Sequence, residues 1–475
     1  MVTGSPEDDD AVTGASARRN VALGHLAFNV CSMMGAWTYY AFVADPHFAQ
    51  HFAAYAGGHD GSASPPWEPA HPELWTNVMN SMSLARVWGN SIAQIGLLFP
   101  AARSLAKPPQ IFVGIACSSV VFVVPVAVLA TQRTGEVAAF ASLVGSVFLG
   151  GVAAGFQQPA LYGLGGYFSE HSFAQGSMMG QSAAAGLTSI IKVVVKASFG
   201  DGSAAEVHES LLYFSLGVVT TAVAAVVFTA FSRSPMMRTK LAELTAKGPS
   251  DSPEKSQEGG TAGDAINVTE RAPLLDGRQQ EDAGEDSSAV LLAATDTPPS
   301  KPPSLRHVLY ATRWTLLSIG LIFVATFAVY PGLLVRGDPS SAWFKVLAML
   351  SMNVMLFVGR FAARPLIGFR DGVVVTYTRT LAACCLVRLL VFVPLFVFAF
   401  PDRPSRRGYV YPAAALFQLS GGVLSAIAAV AMPRSPELNA DPAAKALAGQ
   451  ITPLVTLVAV QTGTGINFGL CRAVD

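Results

Sequence analysis

Charge is scarce in this chain of 475 residues. Its 31 Lys+Arg and 31 Asp+Glu make up 13% of the side chains, about half the ~25% usual in soluble domains. Hydrophobic residues reach 51% and the mean hydropathy is +0.43, a surplus that a water-facing surface absorbs only by exposing large apolar patches. That argues against a soluble enzyme, and the eight histidines stand in no catalytic motif. The balanced charge and a pI near 7.1 supply no basic field for phosphates, so nucleic acid is excluded as a partner. Cysteines number five (Cys31, Cys117, Cys384, Cys385, Cys471); none is spaced for zinc or a disulfide framework, and they read as buried thiols. No GxxxxGK[ST] run binds ATP phosphates, and no repeated filter-like sequence suggests a tetrameric channel. No cofactor is implied.

Long apolar runs fill the space the charges leave. About 20 apolar residues cross the ~30 Å hydrocarbon core, and eleven such segments are predicted, near 20–43, 75–99, 109–131, 136–164, 173–199, 209–232, 310–335, 341–366, 374–400, 410–432 and 443–470. The opening is acidic (Glu7, Asp8, Asp9, Asp10), unlike the basic start of a cleaved signal peptide, so the first segment is expected to be a retained span. Residues 233–307 hold nine Lys+Arg and twelve Asp+Glu with many Pro, Ser and Gly. That composition cannot bury enough apolar surface to offset ordering entropy, and disorder is expected there. The expected layout is a cytoplasmic tail (1–19), a six-helix bundle (20–232), a disordered cytoplasmic linker (233–307) and a five-helix bundle (308–475): an all-α polytopic membrane protein in the lipid bilayer.

Basic residues orient the chain, because Lys and Arg are retained on the cytoplasmic side. The 44–74 loop has neither, whereas Arg18 and Arg19 precede it and Arg103 and Lys107 follow. The amino terminus is therefore expected inside and the carboxyl terminus outside; Arg403, Arg406 and Arg407 are the one loop that disagrees. The sequon Asn267-Val268-Thr269 then falls in the cytoplasmic linker and reads as a chance match.

Within the spans, small residues such as Gly145, Gly150, Gly151, Gly155, Gly176, Gly180 and Ala184 let helices approach closely. Polar residues are costly in lipid and so face partners or a cavity. Gln157 and Gln158 beside Pro159, and Gln181 on the next segment, offer amides either to neighbouring helices or to a polar solute. Basic residues inside the spans are Arg86, Lys192, Lys196, Arg360 and Arg388, while no Asp or Glu lies well inside any of them. Proton-driven carriers use an intramembrane carboxylate as a relay, so its lack favours a passive carrier of a polar, uncharged solute.

The run from Gly155 to Gly166 (GFQQPALYGLGG) and the run from Gly180 to Gly186 (GQSAAAG) resemble the segment four to five signature of the equilibrative nucleoside transporters. Asn77-Val78-Met79, Phe323 to Pro331, Arg388 to Leu395 and Ser420 to Leu424 resemble the family's segments two, seven, nine and ten, in order. The resemblance implies eleven helices in 6+5 pseudo-symmetric bundles, a major-facilitator-like fold, and facilitative alternating-access transport of nucleosides of the adenosine, inosine and uridine class and also of nucleobases. It implies a substrate site at Trp37, Gln158, Tyr330, Asn353 and Arg360. Two positions depart from the family: Leu356 stands where an Asp usually precedes Arg360 by one turn, and Thr38 where an Asn often follows the Trp. Glu270, Leu274 and Leu275 fit an acidic dileucine pattern for adaptor binding, which sets the plasma membrane beside endolysosomal membranes as the expected location. Two other readings stand alongside: a proton-coupled symporter of nucleosides or nucleobases, and a non-transporting receptor or scaffold.

Overall fold

The computed structural model describes residues 6–43, 52, 54, 70–76, 78–97, 107–131, 134–199, 203–246, 304–330, 332–335, 342–368, 377–399, 407–438 and 441–474. Asn77, Pro331, the 267–269 sequon and Glu270, Leu274 and Leu275 lie outside them, as does most of the 233–307 segment. Among the described residues the structure is helical throughout. A lipid-facing backbone must satisfy its own N–H and C=O groups, and a helix does so within one segment.

Among the described residues, eleven helices run to 17 residues or more: α1 (Pro6–Val43), α2 (Val78–Gly96), α3 (Lys107–Thr131), α4 (Glu136–Tyr167), α5 (Phe173–Phe199), α6 (Ser203–Ser232), α7 (Leu305–Val329), α8 (Ala342–Gly368), α9 (Thr378–Pro394), α10 (Arg407–Ala431) and α11 (Pro442–Val474). Nine of them, α3 to α11, are long and apolar enough to cross a membrane by length and composition. The protein is thus a multi-pass, all-helical membrane protein. The other two, α1 and α2, are the polar ones: α1 carries an acidic opening, Asn29, Ser32, Thr38 and two tyrosines, and α2 carries Arg86, Asn90 and Gln94. Both nonetheless pack along the apolar helices, α1 on α5 and α6, and α2 on α4.

Element ends follow local chemistry. Pro6 opens α1, so the helix begins inside the stretch expected as a tail; a proline in the first turn lacks only an N–H that would be unpaired anyway. Ser304 caps α7 by accepting from His307 N at 3.2 Å, and Asp441 caps α11 by accepting from Ala443 N at 2.9 Å, each satisfying an orphan donor. Pro394 removes a backbone donor near the end of α9, and the chain continues as a wider π-type turn, Leu395–Ala399. Segment seven divides: α7 stops at Val329 and a short turn, Gly332–Val335, follows.

The chain divides into two units, Met1–Arg238 with Ser304–Asp475, and Thr239–Pro303. The first holds all eleven helices. Of the second, the described part is the end of a short helix, Pro235–Ala246, where Lys240 pairs with Glu243 at 3.3 Å.

Within the first unit, α1 to α6 pack as one bundle and α7 to α11 as another. Close approach carries much of the six-helix packing. A methyl group on Gly151 of α4 would press on the Arg86 carbonyl of α2 and lie 2.9 Å from Asn90 N. Two pairs of helices make most of the junction between the bundles, α4 against α11 and α5 against α8, and α5 also touches α10 and α2 touches α11.

Candidate functional site

The first bundle holds its tryptophan firmly. Trp37 is 2% exposed, packs with Trp75, Met82, Phe122, Leu143 and Tyr213, and donates Nε1 to the Tyr213 carbonyl of α6 at 3.0 Å. The Tyr213 hydroxyl in turn donates to the Thr188 carbonyl of α5 at 2.9 Å. The next residue on α1, Thr38, donates to the Gly35 carbonyl at 2.7 Å and accepts from Arg86 Nη1 at 3.1 Å.

The two glutamines of α4 separate because consecutive helical residues point about 100° apart. Gln157 is fully buried and donates Nε2 to the Cys31 carbonyl of α1 at 2.8 Å; a methyl on Gly35 would lie 2.7 Å from its Oε1. Its amide is committed to the α1–α4 contact. Gln158 is half-buried, and among the described residues its amide has no hydrogen-bond partner.

On the five-helix side, Tyr330 ends α7, donating its backbone N–H to the Thr326 carbonyl at 2.9 Å. Its ring meets Phe327 edge-on at 6.3 Å, and its phenol lies beside the Asn353 amide of α8 and within electrostatic range of Tyr39 and Tyr40 of α1. Asn353 crosses the bundle interface, donating Nδ2 to Ser189 Oγ of α5 at 2.8 Å. Two turns further along α8, Arg360 is 3% exposed. Its Nη1 donates to the Met178 carbonyl of α5 and its Nε to Ser425 Oγ of α10 at 3.4 Å, while its own carbonyl accepts from Gln175 Nε2 at 3.4 Å. A carboxylate at position 356 is therefore not what holds this guanidinium; carbonyl and hydroxyl oxygens do. Tyr162 of α4 and Tyr40 of α1 are its electrostatic neighbours.

Tyr330, Asn353 and Arg360 thus meet α1 and α5 where the two bundles come together, whereas Trp37 sits in the core of its own bundle. The tyrosines at 39, 40 and 162 join this gathering without having been singled out from the sequence. The signal for them was present: Tyr39 and Tyr40 are two hydroxylated aromatics on a helix already short of apolar residues, and a phenol carries a polar tip that needs a partner when buried. Arg388, by contrast, is spent within its bundle. It donates to the Phe417 and Ile322 carbonyls, both at 3.1 Å, and to Thr326 Oγ1 at 3.2 Å, and its guanidinium lies 3.9 Å from the centre of the Phe417 ring.

One end of the interface is closed by a further arginine. Arg434, in the α10–α11 connection, donates Nε to the Ser169 carbonyl at 3.0 Å and Nη2 to Ser172 Oγ at 2.8 Å. Ser169 and Ser172 belong to the α4–α5 connection, where Ser172 has a left-handed backbone (φ 55°).

Comparison with known proteins adds to this geometry. The fold is shared with solved major facilitator structures: the proton:xylose symporter XylE aligns with a TM-score of 0.54 at 10% identity, over 94% of this chain and 88% of that one. A bacterial homologue of the iron transporter ferroportin aligns at 0.50 and 10% identity, over 96% of each chain. Among relatives by sequence, nucleoside transporter 1 of Crithidia fasciculata is 25% identical over 439 residues, 84% of each chain. Adenosine transporter 1 of the same organism is 26% identical over 437 residues, again 84% of each. Nucleoside transporter 2 of Leishmania donovani is 24% identical over 469 residues, 90% of this chain and 89% of that one. The family model described as nucleoside transporter matches residues 144–471, a range that takes in Gln158, Tyr330, Asn353 and Arg360 and most of the helices that carry the bundle interface. With the ordered motifs and the facilitator-type helical fold, that match places the chain in the family of the equilibrative nucleoside transporters.

Proposed function

We propose that the protein carries nucleosides, and nucleobases as well, down their gradients across a membrane by alternating access between its six-helix and five-helix bundles. One observation carries this reading: polar groups from α1, α5, α7 and α8 gather where the bundles meet, and no carboxylate is among them. Tyr330 and its tyrosine neighbours offer stacking surface for a base, Gln158 and Asn353 offer amides for its polar edge or a ribose hydroxyl, and Arg360 offers donors to a substrate oxygen or ties the bundles together. Trp37 supports the site from behind through α1. With the amino terminus inside, Arg434 joins two connections on the cytoplasmic side, which supports assigning this conformation to the inward-closed half of the cycle. The plasma membrane is the proposed location, with endolysosomal membranes as the alternative if Glu270, Leu274 and Leu275 recruit an adaptor.

Purified protein in liposomes is expected to equilibrate labelled adenosine, inosine and uridine without accumulating them, and to show counterflow with unlabelled nucleoside. Gln158→Ala is expected to lower uptake about tenfold at unchanged protein abundance, from the loss of polar contacts worth ~1–2 kcal/mol; unchanged kinetics would remove Gln158 from the site. An imposed pH gradient that drives uphill uptake would overturn the passive mode in favour of proton coupling. Failure of every nucleoside and nucleobase to cross or to stabilise the protein would favour the receptor or scaffold reading.

A further inference from the structure

Across the junction of the bundles, the end of α4 and the start of α11 touch backbone to backbone. A methyl group on Gly449 of α11 would lie 2.2 Å from the Tyr162 carbonyl of α4. One on Gly166 would lie 2.5 Å from the Lys445 carbonyl, and one on Gly163 would lie 2.9 Å from Gln450 Cγ. Small residues permit so close an approach, and packing of this kind holds helices together in lipid. Just beyond it, Arg434 ties the α10–α11 connection to the α4–α5 connection, donating to the Ser169 and Glu170 carbonyls at 3.0 and 3.4 Å and to Ser172 Oγ at 2.8 Å. All of these contacts hold this end of the junction shut.

Tyr162 works against them. It is 4% exposed and packs with Ala174 and Met178 of α5 and with Ala429 of α10, so residues of both bundles cover it. Met178 is also the residue whose carbonyl accepts from Arg360, which sets the phenol in direct packing with the interface described above. Its hydroxyl has no hydrogen-bond partner among the described residues; Gln181 of α5 lies alongside without bonding it. Tyr213, buried as deeply, donates its hydroxyl to the Thr188 carbonyl. An O–H group shut away from water without such an acceptor loses its hydration and gains nothing in return.

We infer that the Tyr162 hydroxyl is a gating group: unpaired while the bundles are closed at this end and hydrated once they part, it destabilises the closed form and raises the population of the inward-open one. This rests on the alternating-access reading and deepens it. Ala174 and Met178 belong to the bundle of Tyr162 and move with it, whereas Ala429 and Gly449 belong to the other. Drawing α10 and α11 away therefore uncovers the phenol and lets water supply the missing partner. The glycine contacts and the Arg434 bonds act in the opposite sense, since both are lost on opening. A two-state equilibrium shifts only by the difference in free energy between its states, and Tyr162 supplies such a difference without touching a solute.

The test is hydrogen–deuterium exchange of the full chain in lipid nanodiscs, read by mass spectrometry over residues 162–175 and 441–450. Tyr162→Phe keeps the ring and deletes the unpaired oxygen, so exchange in both segments is expected to slow about tenfold, from the cost of an unsatisfied buried hydroxyl. Arg434→Gln removes closing bonds and is expected to speed exchange in the same segments severalfold. Exchange in α3 and α6, which pack within their own bundle, should stay as in the wild type, the mark of a shifted conformation rather than of altered overall stability. Unchanged or faster exchange in Tyr162→Phe overturns the inference, because a hydroxyl bonded in the closed form would stabilise that form; this variant decides alone if Arg434→Gln fails to fold. Exchange is read without substrate, so that result sinks this inference and leaves nucleoside transport intact. A wild type that equilibrates no nucleoside in liposomes sinks the transport reading, and with it the role given to the opening.

Discussion

The two bundles use the same devices, close packing and side-chain bonds to carbonyl oxygens, but gather them around different residues. In the six-helix bundle, aromatic rings meet edge to face or tilted, as Phe28, Phe168, Phe173 and Phe231 do at centroid distances of 5.1 to 6.3 Å, and helices touch backbone to backbone through small residues such as Gly151. In the five-helix bundle, side chains reach across to carbonyl oxygens. Arg388 takes two of them, Asn467 Nδ2 donates to the Ala328 carbonyl at 3.0 Å, and Ser435 Oγ to the Ala311 carbonyl at 3.0 Å. Lipid tails are as apolar as leucine, so helices in a bilayer associate through close packing or hydrogen bonds rather than through exclusion from water. Neither device is confined to one bundle: in the six-helix bundle Trp37, Tyr213 and Gln157 donate to carbonyls of neighbouring helices, and in the five-helix bundle Gly359 and Gly422 bring α8 and α10 into backbone contact. What sets the five-helix bundle apart is Arg388, bonded through all three nitrogens to two neighbouring helices. Gln158 has no hydrogen-bond partner among the described residues and Arg86 is bonded through two nitrogens, whereas Arg388 is bonded through all three.

This contrast is broken most directly at Arg388. Arg388→Met removes three bonds and the contact with Phe417, and about 3 kcal/mol of stability is expected to go with them, the low end of the cost of breaking a buried charged network. Arg388→Lys should recover little, since a single ammonium cannot reproduce the planar fork. Thermal unfolding in detergent checks both; an unchanged melting temperature would mean that the five-helix bundle does not depend on its arginine. The matching change in the other bundle is Gly151→Ala. It places a methyl group on the Arg86 carbonyl, and the overpacking is expected to cost about 2 kcal/mol. Because α4 also carries Gln158, uptake should fall along with stability. A variant that melts like the wild type would show that α2 and α4 can separate without cost.

Those variants fall on helices whose existence was plain from the sequence, since nine of the eleven segments expected there are long and apolar enough to span and all eleven appear as long helices. Hydrophobic length is a one-dimensional property, so it survives reading one residue at a time. Direction is not. Gln157 and Gln158 are indistinguishable as letters, and only the turn of α4 sends one into the α1 contact and leaves the other half-buried. Arg360 and Arg388 likewise look alike as basic residues inside apolar runs, yet one bridges α8 to α5 and α10 while the other stitches α7, α9 and α10 together. The start of α1 shows a related limit: the acidic residues after Pro6 point to a tail, and polarity alone does not reveal that a helix runs through them. Tyr39 and Tyr40 were in view beside Trp37, but their importance depends on what α7 and α8 bring near them, which no local pattern encodes.

The smallest expected effect concerns Trp37, and it tests on which side of the contrast that residue falls. Its indole is buried among side chains of its own bundle and spends its one donor on the Tyr213 carbonyl. Trp37→Phe keeps most of the apolar area and deletes that bond, so the cost should be near the ~1 kcal/mol of a neutral hydrogen bond. Tyr213→Phe leaves the indole bond in place, because the acceptor is a backbone carbonyl, and removes instead the hydroxyl bond to the Thr188 carbonyl. The two variants should therefore destabilise by similar amounts, and because the residues pack in one cluster the double variant should depart from additivity. If Trp37 belongs to the frame, any loss of transport will track the loss of stability in both. A fall in substrate affinity in Trp37→Phe that Tyr213→Phe does not share would instead place the ring beside the permeation path, and the six-helix bundle would then be lending the site a packed core residue as well as its unspent polar groups.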